Sequence, residues 1–291
     1  MNMKRFPLSA ITASMALLPF SASAHGYNFN LLTTPDTFII GMNNAGDMVV
    51  DTRNNDGTTA CALVQGDNAT PIANPVAPTY TWCSGISMAD EIVGYTLDIN
   101  DFSFVGYTYS GGTFTQTTEP VAGASPYGIS EDGNNITGNY LNDSGVFSGY
   151  TIIGSKIKTF EAQGAISTYP VGINDKGLSS GWAETASGGL FGYLLKGKTF
   201  TTLSVPDSVV TLAEGINNKG VVAGYYQDTQ NVIHGFIYNS KKDTYTTVDV
   251  PNTLQTIWFG ITDKGTLYGV TVVPGGKGTT YGVYATAKKG D

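Results

Sequence analysis

Short runs of apolar and β-branched residues, separated by glycine, asparagine, aspartate or proline, follow one another along most of the chain. Val221–Tyr225 is one such run, and a polar loop follows it at residues 227–231. Short β-prone runs between turn-forming residues predict β-strands. Helix-forming residues are scarce, whereas Gly, Thr, Tyr and Val are plentiful, so the pattern predicts an all-β protein.

One six-residue phrase occurs six times at nearly constant spacing. Its leading glycines are 44, 43, 44, 43 and 45 residues apart. The copies are Gly41–Gly46, Gly85–Asp90, Gly128–Gly133, Gly172–Gly177, Gly215–Gly220 and Gly260–Gly265. Asn and Gly tolerate positive φ, so phrases such as Asn-Asn-Lys-Gly suit a tight hairpin turn.

The same series of predicted strands follows each copy of the phrase. A glycine-containing run comes first, and next a run that pairs glycine with an aromatic residue, as in Gly192-Tyr193 and Gly235-Phe236. A threonine-rich run that ends at a proline completes the unit, as in Tyr245–Pro251. Four antiparallel strands repeated every ~40–45 residues are typical of a β-propeller blade, whereas β-solenoid repeats are usually much shorter.

The two ends of the chain supply complementary parts of one unit. Asn28–Asp36 is similar to Lys198–Asp207 and predicts a fourth strand without the first three. Gly260–Lys288 predicts the earlier strands without the fourth. Residues 25–291 give 44.5 residues for each of six blades. We therefore predict a single all-β domain, a six-bladed β-propeller of four-stranded blades whose last blade is closed by the N-terminal strand, which removes exposed sheet edges.

The Gly-Ile-Asn-x-x-Gly phrase, followed by Gly-Tyr and Gly-Phe pairs, resembles the bacterial extracellular repeats called HAF repeats. His234-Gly235-Phe236 is closest to the family's name, and most other copies have Gly-Phe or Gly-Tyr in place of alanine–phenylalanine. The resemblance covers nearly all of residues 25–291 and implies a propeller-like fold and export. Its motifs are structural, and the family supplies no catalytic residue to carry over.

The first 24 residues have the pattern of a cleaved signal peptide. Lys4 and Arg5 precede the apolar segment Ile11–Phe20, and Ala22-Ser23-Ala24 has the small-x-small spacing of a cleavage site. No segment approaches the ~20 apolar residues that span a bilayer. We expect a periplasmic or secreted protein, a monomer, whose mature chain begins near His25.

Charge and cysteine content narrow the function classes further. Without Lys4 and Arg5, 13 basic and 23 acidic residues remain, a net charge of −10, so the chain is a poor partner for nucleic acid. Charged residues are 13% and apolar residues 41% of the chain, which excludes a disordered protein. Cys61 and Cys83 predict a disulfide in an oxidising compartment, and two buried thiols are the alternative.

Aromatic and acidic residues are predicted to share one face of the propeller, where the blade-to-blade loops meet the loops between second and third strands. The blade-to-blade segments contain Tyr80, Trp82, Tyr127, Tyr169, Glu214, Trp258 and Phe259. The other loops contain Asp56, Asp98, Asp101, Asp143, Glu184 and Asp228. The opposite face, with the tight turns, contains Asp90, Glu131, Asp132, Asp175 and Asp263.

Aromatic rings beside carboxylates suit a carbohydrate, which needs a surface to stack on and acceptors for its hydroxyl groups. The predicted ligand-binding residues are Tyr80, Trp82, Tyr127, Tyr169, Trp258, Asp101, Asp228 and His234. The leading hypothesis is an exported recognition module for a carbohydrate or an extracellular protein. No cofactor is required, although the same carboxylates have the oxygen ligands that Ca²⁺ takes. The alternative is structural, with rings packed between blades and aspartates capping turns; Trp182 is expected in the core.

Glu214 is the candidate catalytic residue. It precedes Gly215 on an innermost strand, so we expect its side chain to face the central channel or its mouth. The other blades have Ile40, Ser84, Tyr127, Val171 and Phe259 at this position. A buried carboxylate has a raised pKa and can serve as a general acid or base, whereas a structural pairing is the alternative. The second hypothesis is therefore a secreted polysaccharide-active enzyme, a lyase or hydrolase, that uses Glu214 in the channel or carboxylates on the rim as acid or base.

Other catalytic patterns are weak or missing. The sequence has no Gly-x-Ser-x-Gly, His-Glu-x-x-His or phosphate-loop motif. His25 and His234 are the only histidines, and a copper site that used both requires that they converge in space. A third hypothesis is a purely structural surface protein.

Overall fold

The structure is a computed structural model that describes residues 17–18, 23–24, 26–54, 58–75, 80–98, 103–117, 120–121, 123–275 and 278–288. All regular structure in these ranges is β-strand. Within them, no helix is long and apolar enough to cross a membrane.

Six sheets form six blades, numbered here along the chain. Strands β1 (Leu17–Leu18), β2 (Ser23–Ala24) and β3 (Tyr27–Pro35) precede blade 1, which has β4 (Thr37–Met42), β5 (Met48–Arg53), β6 (Thr59–Gln65) and β7 (Asn68–Ile72). Blade 2 has β8 (Thr81–Ile86), β9 (Ile92–Asp98), β10 (Ser103–Ser110) and β11 (Thr113–Gln116). Blade 3 has β12 (Ser125–Ile129), β13 (Asn135–Leu141), β14 (Phe147–Ile153) and β15 (Lys156–Phe160).

The second half of the ring repeats this order. Blade 4 has β16 (Ala165–Ile173), β17 (Leu178–Thr185), β18 (Leu190–Lys196) and β19 (Thr199–Leu203). Blade 5 has β20 (Val210–Ile216), β21 (Val221–Gln227), β22 (Ile233–Asn239) and β23 (Thr244–Thr247). Blade 6 has β24 (Gln255–Ile261), β25 (Leu267–Val273) and β26 (Thr279–Ala287). Neighbouring strands are antiparallel throughout, so the predicted six-bladed β-propeller is confirmed.

Strand β3 closes the ring as the fourth strand of blade 6. It pairs antiparallel with β26, and Val283 lies opposite Leu31. Phe29 and Leu31 are fully buried, and the Phe29 ring packs on Trp258 with centroids 6.4 Å apart. The prediction that the N-terminal strand completes the last blade is confirmed. The short strands β1 and β2 both pair with β3.

The asparagine of the repeated phrase both forms its own turn and connects neighbouring blades. Asn174 Oδ1 accepts hydrogen bonds from the backbone N–H groups of Lys176 and Leu178. Its Nδ2 donates to the carbonyl oxygen of Asn217 in blade 5, at 2.9 Å. Asn217 Nδ2 in turn donates to the carbonyl oxygen of Thr262 in blade 6, at 3.0 Å. A polar residue recurs here because the turn leaves backbone groups that need partners.

The acidic residues of the tight turns, at one end of the channel (the turn end), also form hydrogen bonds between blades. Asn218 Nδ2 donates to Asp175 Oδ2 and to Asp263 Oδ2, at 2.5 and 2.9 Å. Glu131 Oε1 accepts a hydrogen bond from the backbone N–H of Asn44 at 2.7 Å, from blade 3 to blade 1. These carboxylates therefore link the turns of different blades.

Candidate functional site

A β-bulge in the innermost strand of every blade turns the residue before the phrase glycine towards the central channel. The pairing register shifts at this point in all six blades. The residues concerned are Ile40, Ser84, Tyr127, Val171, Glu214 and Phe259, and all of them line one cavity of about 390 Å³. This volume is within the range of about 300–1,000 Å³ that is usual for small-molecule sites. A bulge re-aims a side chain, which is why one position in each repeat faces the axis.

Glu214 is the acidic member of this set. Its side chain is buried, and burial raises the pKa of its carboxyl group to about 8. The carboxyl group has no hydrogen-bond or ion-pair partner among the residues that the structure describes. It lies near the hydroxyl groups of Tyr127 and Tyr225, whose pKa values burial raises and the Glu214 charge raises further. Glu214 thus faces the channel as predicted, without the structural pairing that was the alternative.

An aromatic row runs along blade 2 to the channel and consists of Tyr80, Trp82 and Tyr95 of blade 2 and Tyr127 of blade 3. Successive ring centroids are 6.2 Å apart from Tyr80 to Trp82, 5.4 Å from Trp82 to Tyr95, and 5.4 Å from Tyr95 to Tyr127. All four side chains are partly exposed. Three of the predicted ligand-binding residues therefore lie together.

Tyr95 was missed by the sequence analysis. It lies directly opposite Trp82 on the neighbouring strand β9, so both rings project from the same face of the sheet. Its position directly after a second-strand glycine, shared by Trp182 and Tyr225, was the available signal.

A second aromatic pair lies on blade 4. Tyr169 stacks on Trp182, and Phe147 lies 5.4 Å from Tyr169. Trp182 is only partly buried, so its predicted place in the core was wrong. It lies opposite Tyr169 in the register between β16 and β17 and shares the face of that ring.

Trp258 is in the core and not on the ligand-binding surface. Its side chain is 0% exposed, and Nε1 donates a hydrogen bond to the carbonyl oxygen of Val248 at 2.7 Å. A Cβ atom at Gly235 would lie 2.4 Å from the indole ring, so this glycine makes room for it. The prediction of Trp258 as a ligand-binding residue is therefore corrected.

The signal for this burial was present in the sequence. Trp258 lies two residues before its phrase glycine, and the residues at this position are Ile39, Cys83, Pro126, Pro170, Ala213 and Trp258. All six are buried. An apolar or small residue in every copy indicates a side chain that packs between sheets.

His234 lies between two carboxylates on the loop face of blade 5. Its Nδ1 is 2.7 Å from Asp249 Oδ2, and its Nε2 is 3.2 Å from Asp228 Oδ2. Burial acts to lower the pKa of His234, but hydrogen bonds and charge from the two carboxylates outweigh it and raise the pKa. The Tyr226 ring stacks on the imidazole at 5.1 Å. Asp228 and His234 thus meet as neighbours on this face, and Asp249 was missed.

The remaining loop-face acidic residues and the other histidine from the sequence analysis are either at least partly exposed or outside the described residues. Asp143 lies in an exposed turn of blade 3, and Glu184 lies partly exposed near the end of β17. The following fall outside the described residues: His25, Asp56, Asp101 and the side chain of Asp98.

The predicted disulfide between Cys61 and Cys83 is confirmed, and it joins blade 1 to blade 2 with Cα atoms 6.0 Å apart. Asp51 lies beside it and is 7% exposed. Burial raises the pKa of Asp51 to about 7, against the lowering effect of the Cys83 N–H group and of Arg53. A carboxylate oxygen of Asp51 and the two sulfur atoms lie within 4.8 Å of one another. Because the sulfur atoms are bonded to each other, they are not thiolate ligands for a metal.

Similar solved structures are propellers of very different sequence. No family model and no curated protein matches the chain. A TolB protein from Agrobacterium tumefaciens matches with a TM-score of 0.57 and 13% identity, over 74% of this chain and 81% of that one. The lectin of Aleuria aurantia, a six-bladed β-propeller with fucose recognition, matches with a TM-score of 0.51 and 16% identity, over 90% and 98%.

An enzyme is also among the similar structures. The gluconolactonase XC5397 from Xanthomonas campestris matches with a TM-score of 0.52 and 12% identity, over 89% of each chain. The chain is a six-bladed propeller. At such low identities the likeness shows the fold alone.

Proposed function

We propose that this protein is an exported recognition module that binds a carbohydrate on the aromatic row of blade 2, at the mouth of the central channel. The observation that carries this proposal is the row itself, since the Tyr95 ring lies 5.4 Å from both the Trp82 and the Tyr127 ring and all three residues line the cavity. Partly exposed rings offer a surface for the C–H face of a sugar. The cavity adds carboxyl groups that accept or donate hydrogen bonds to its hydroxyl groups.

Export is supported by the disulfide, because such bonds persist in oxidising compartments. It is also supported by the sequence pattern of residues 1–24. The similarity to a fucose-recognising lectin supports a propeller as a scaffold for sugar binding, although that activity belongs to the lectin.

A panel of neutral oligosaccharides, measured by isothermal titration calorimetry with the purified chain from residue 25 onwards, tests the proposal. Trp82→Ala is expected to weaken binding about tenfold or more, because it removes a ring that the sugar would cover. Tyr109→Ala is the matched control, since Tyr109 is a partly buried ring at the turn end of the same blade and packs on Phe114. No binding by the unmodified protein, or equal binding by Trp82→Ala, contradicts the proposal.

A polysaccharide-active enzyme is the second candidate, and the environment of Glu214 favours it. With a pKa of about 8, this carboxyl group is largely protonated at neutral pH and can act as a general acid. Asp51 is the other buried acidic residue on the cavity wall. The test is release of oligosaccharide fragments, which Glu214→Gln should abolish. Fragment release at the full rate by this variant would exclude Glu214 as the acid or base.

A further inference from the structure

Asp51, Thr59, Trp82, Cys83 and Tyr95 are among the residues that line the cavity, and the part of it that they line, between blade 1 and blade 2, is called the side pocket here. Asp51 and Thr59 come from adjacent strands of blade 1. Trp82 and Tyr95 are the middle rings of the aromatic row. The side pocket is therefore continuous with the surface that the proposed function assigns to the sugar.

Two buried polar atoms of the side-pocket residues have no hydrogen-bond partner in the part of the chain that the structure describes. They are Asp51 Oδ1 and Thr59 Oγ1. The Asp51 carboxylate accepts a hydrogen bond from the backbone N–H of Cys83, which leaves its other oxygen free. Buried polar atoms are almost always hydrogen-bonded, because an unmade bond costs free energy. Two such atoms on one wall indicate a place for a hydrogen-bond donor from a ligand.

The charges around the cavity favour a positively charged donor. Its lining contains the carboxyl groups of Asp51, Glu131 and Asp263, the Glu214 carboxyl group, which is largely protonated at neutral pH, and one guanidinium group, that of Arg53. Arg53 is exposed and lies over the Phe38 ring at 4.6 Å. Among the described residues, no Lys or Arg lies within 4.0 Å of a carboxylate oxygen. Arg53 lowers the pKa of Asp51 but forms no ion pair with it, so a cationic ligand would supply the direct countercharge that the buried carboxylate lacks.

The neighbouring rings distinguish an organic cation from a metal ion. Ca²⁺ takes six to eight oxygen ligands, whereas the side pocket offers two unpartnered oxygen atoms. Trp82 and Tyr95 flank the pocket, and aromatic rings attract ammonium groups through their quadrupoles. A primary ammonium group carries three N–H donors, enough for both oxygen atoms.

We propose that the side pocket binds the protonated primary amine of an amino sugar, which donates hydrogen bonds to Asp51 Oδ1 and Thr59 Oγ1 beside the rings of Trp82 and Tyr95. This inference rests on the proposed carbohydrate-binding function. The aromatic row holds the sugar ring, and the side pocket selects the amino group.

Three β-1,4-linked tetrasaccharides test this selectivity: the tetramers of glucosamine, of N-acetylglucosamine and of glucose. They present a cation, a neutral amide and a hydroxyl group at the same ring position. Titration calorimetry near pH 7, where a substantial fraction of Asp51 is ionised, should show binding of the glucosamine tetramer about tenfold tighter or more, as expected for a charge-assisted hydrogen bond.

Two near-isosteric variants and one control test whether the side pocket causes the preference for the glucosamine tetramer. Asp51→Asn and Thr59→Val should each reduce the preference for the glucosamine tetramer, and Asp51→Asn should reduce it to about twofold or less. Asp243→Asn removes the same charge from the turn between β22 and β23, where Asp243 bonds the Tyr238 hydroxyl group, and should keep the full preference. If Asp51→Asn does not fold, Thr59→Val carries the test.

The outcomes separate this inference from the proposed function. Equal binding of the three tetramers would overturn the amino-sugar inference and leave carbohydrate binding in place. A preference that survives in Asp51→Asn would overturn the assignment to the side pocket. Binding of none of the tetramers, together with no binding across the neutral panel, would overturn both proposals.

Discussion

The indole ring of Trp182 stacks on the phenol ring of Tyr169, with centroids 4.0 Å apart and planes inclined by 20°. Both side chains are partly exposed. Trp258, by contrast, is completely buried and bonds the carbonyl oxygen of Val248. The two tryptophans therefore differ in what they stabilise.

Replacement of Trp258 by alanine should lower the free energy of unfolding by about 3–5 kcal/mol, because it leaves a cavity in the core. It also leaves the Val248 carbonyl without its donor. Trp182→Ala should lower the free energy of unfolding by less. The lost ring pair accounts for about 0.5–1.5 kcal/mol, and the loss of the partly buried side chain adds to it. Urea unfolding of the two variants compares them directly. Equal losses would contradict the different burial of the two rings.

Glu214→Gln should make the stability of the protein less dependent on pH. The raised pKa means that the folded state binds a proton more tightly than the unfolded state. The Glu214 carboxyl group stabilises the folded state fully at pH values below 4.5, its ordinary pKa. This stabilisation is lost as the pH rises through about 8, its pKa in the folded state. Between these two pH values, Glu214 changes the free energy of unfolding by at most about 1.4 kcal/mol per pH unit.

Melting temperatures measured across this pH range test the Glu214 prediction. The melting temperature of Glu214→Gln, relative to that of the unmodified protein, should increase steadily as the pH rises. Glu184→Gln makes the same chemical change at the loop end of β17 and serves as the control. A constant difference between Glu214→Gln and the unmodified protein at all pH values would show that Glu214 ionises normally.

Asp249→Asn should lower the pKa of His234. The substitution removes the charge of a carboxylate that lies 2.7 Å from Nδ1. The Asp249 hydrogen bond raises the pKa of this imidazole, so its loss shifts the titration towards lower pH. NMR titration of the His234 ring resonances measures the shift, with Asp143→Asn on blade 3 as the control. An unchanged midpoint would show that Asp249 does not stabilise the charged ring.

Loss of the disulfide should lower the free energy of unfolding by about 2–4 kcal/mol, because the bond restrains the unfolded chain. Cys61 and Cys83 are 22 residues apart and belong to different blades. The double variant Cys61→Ser, Cys83→Ser tests this in urea. A reducing agent should destabilise the unmodified protein and leave the double variant unaffected, and any equal response of the two would contradict the prediction.

Much of the fold was predictable because each blade repeats one local pattern. The phrase from Gly172 to Gly177 contains both the turn and the asparagine that bonds the next blade. The same regularity predicted that Glu214 faces the channel from its place before the phrase glycine, and the structure has a bulge at this place in every copy. The resemblance to HAF repeats and the cleaved signal peptide remain predictions.

The sequence by itself determined the number of blades and the strand that closes them, and it predicted the cysteine pair that the structure confirms. These features depend on residue patterns that recur within about 44 positions or on one pair of residues. Contacts between residues distant in sequence decided the rest. Asp51 lies beside Cys83 because blade 1 packs on blade 2, and Asp249 meets His234 because strand pairing in blade 5 places them together. The burial and charge of these groups are set by their spatial neighbours, and only the tertiary structure selects those neighbours.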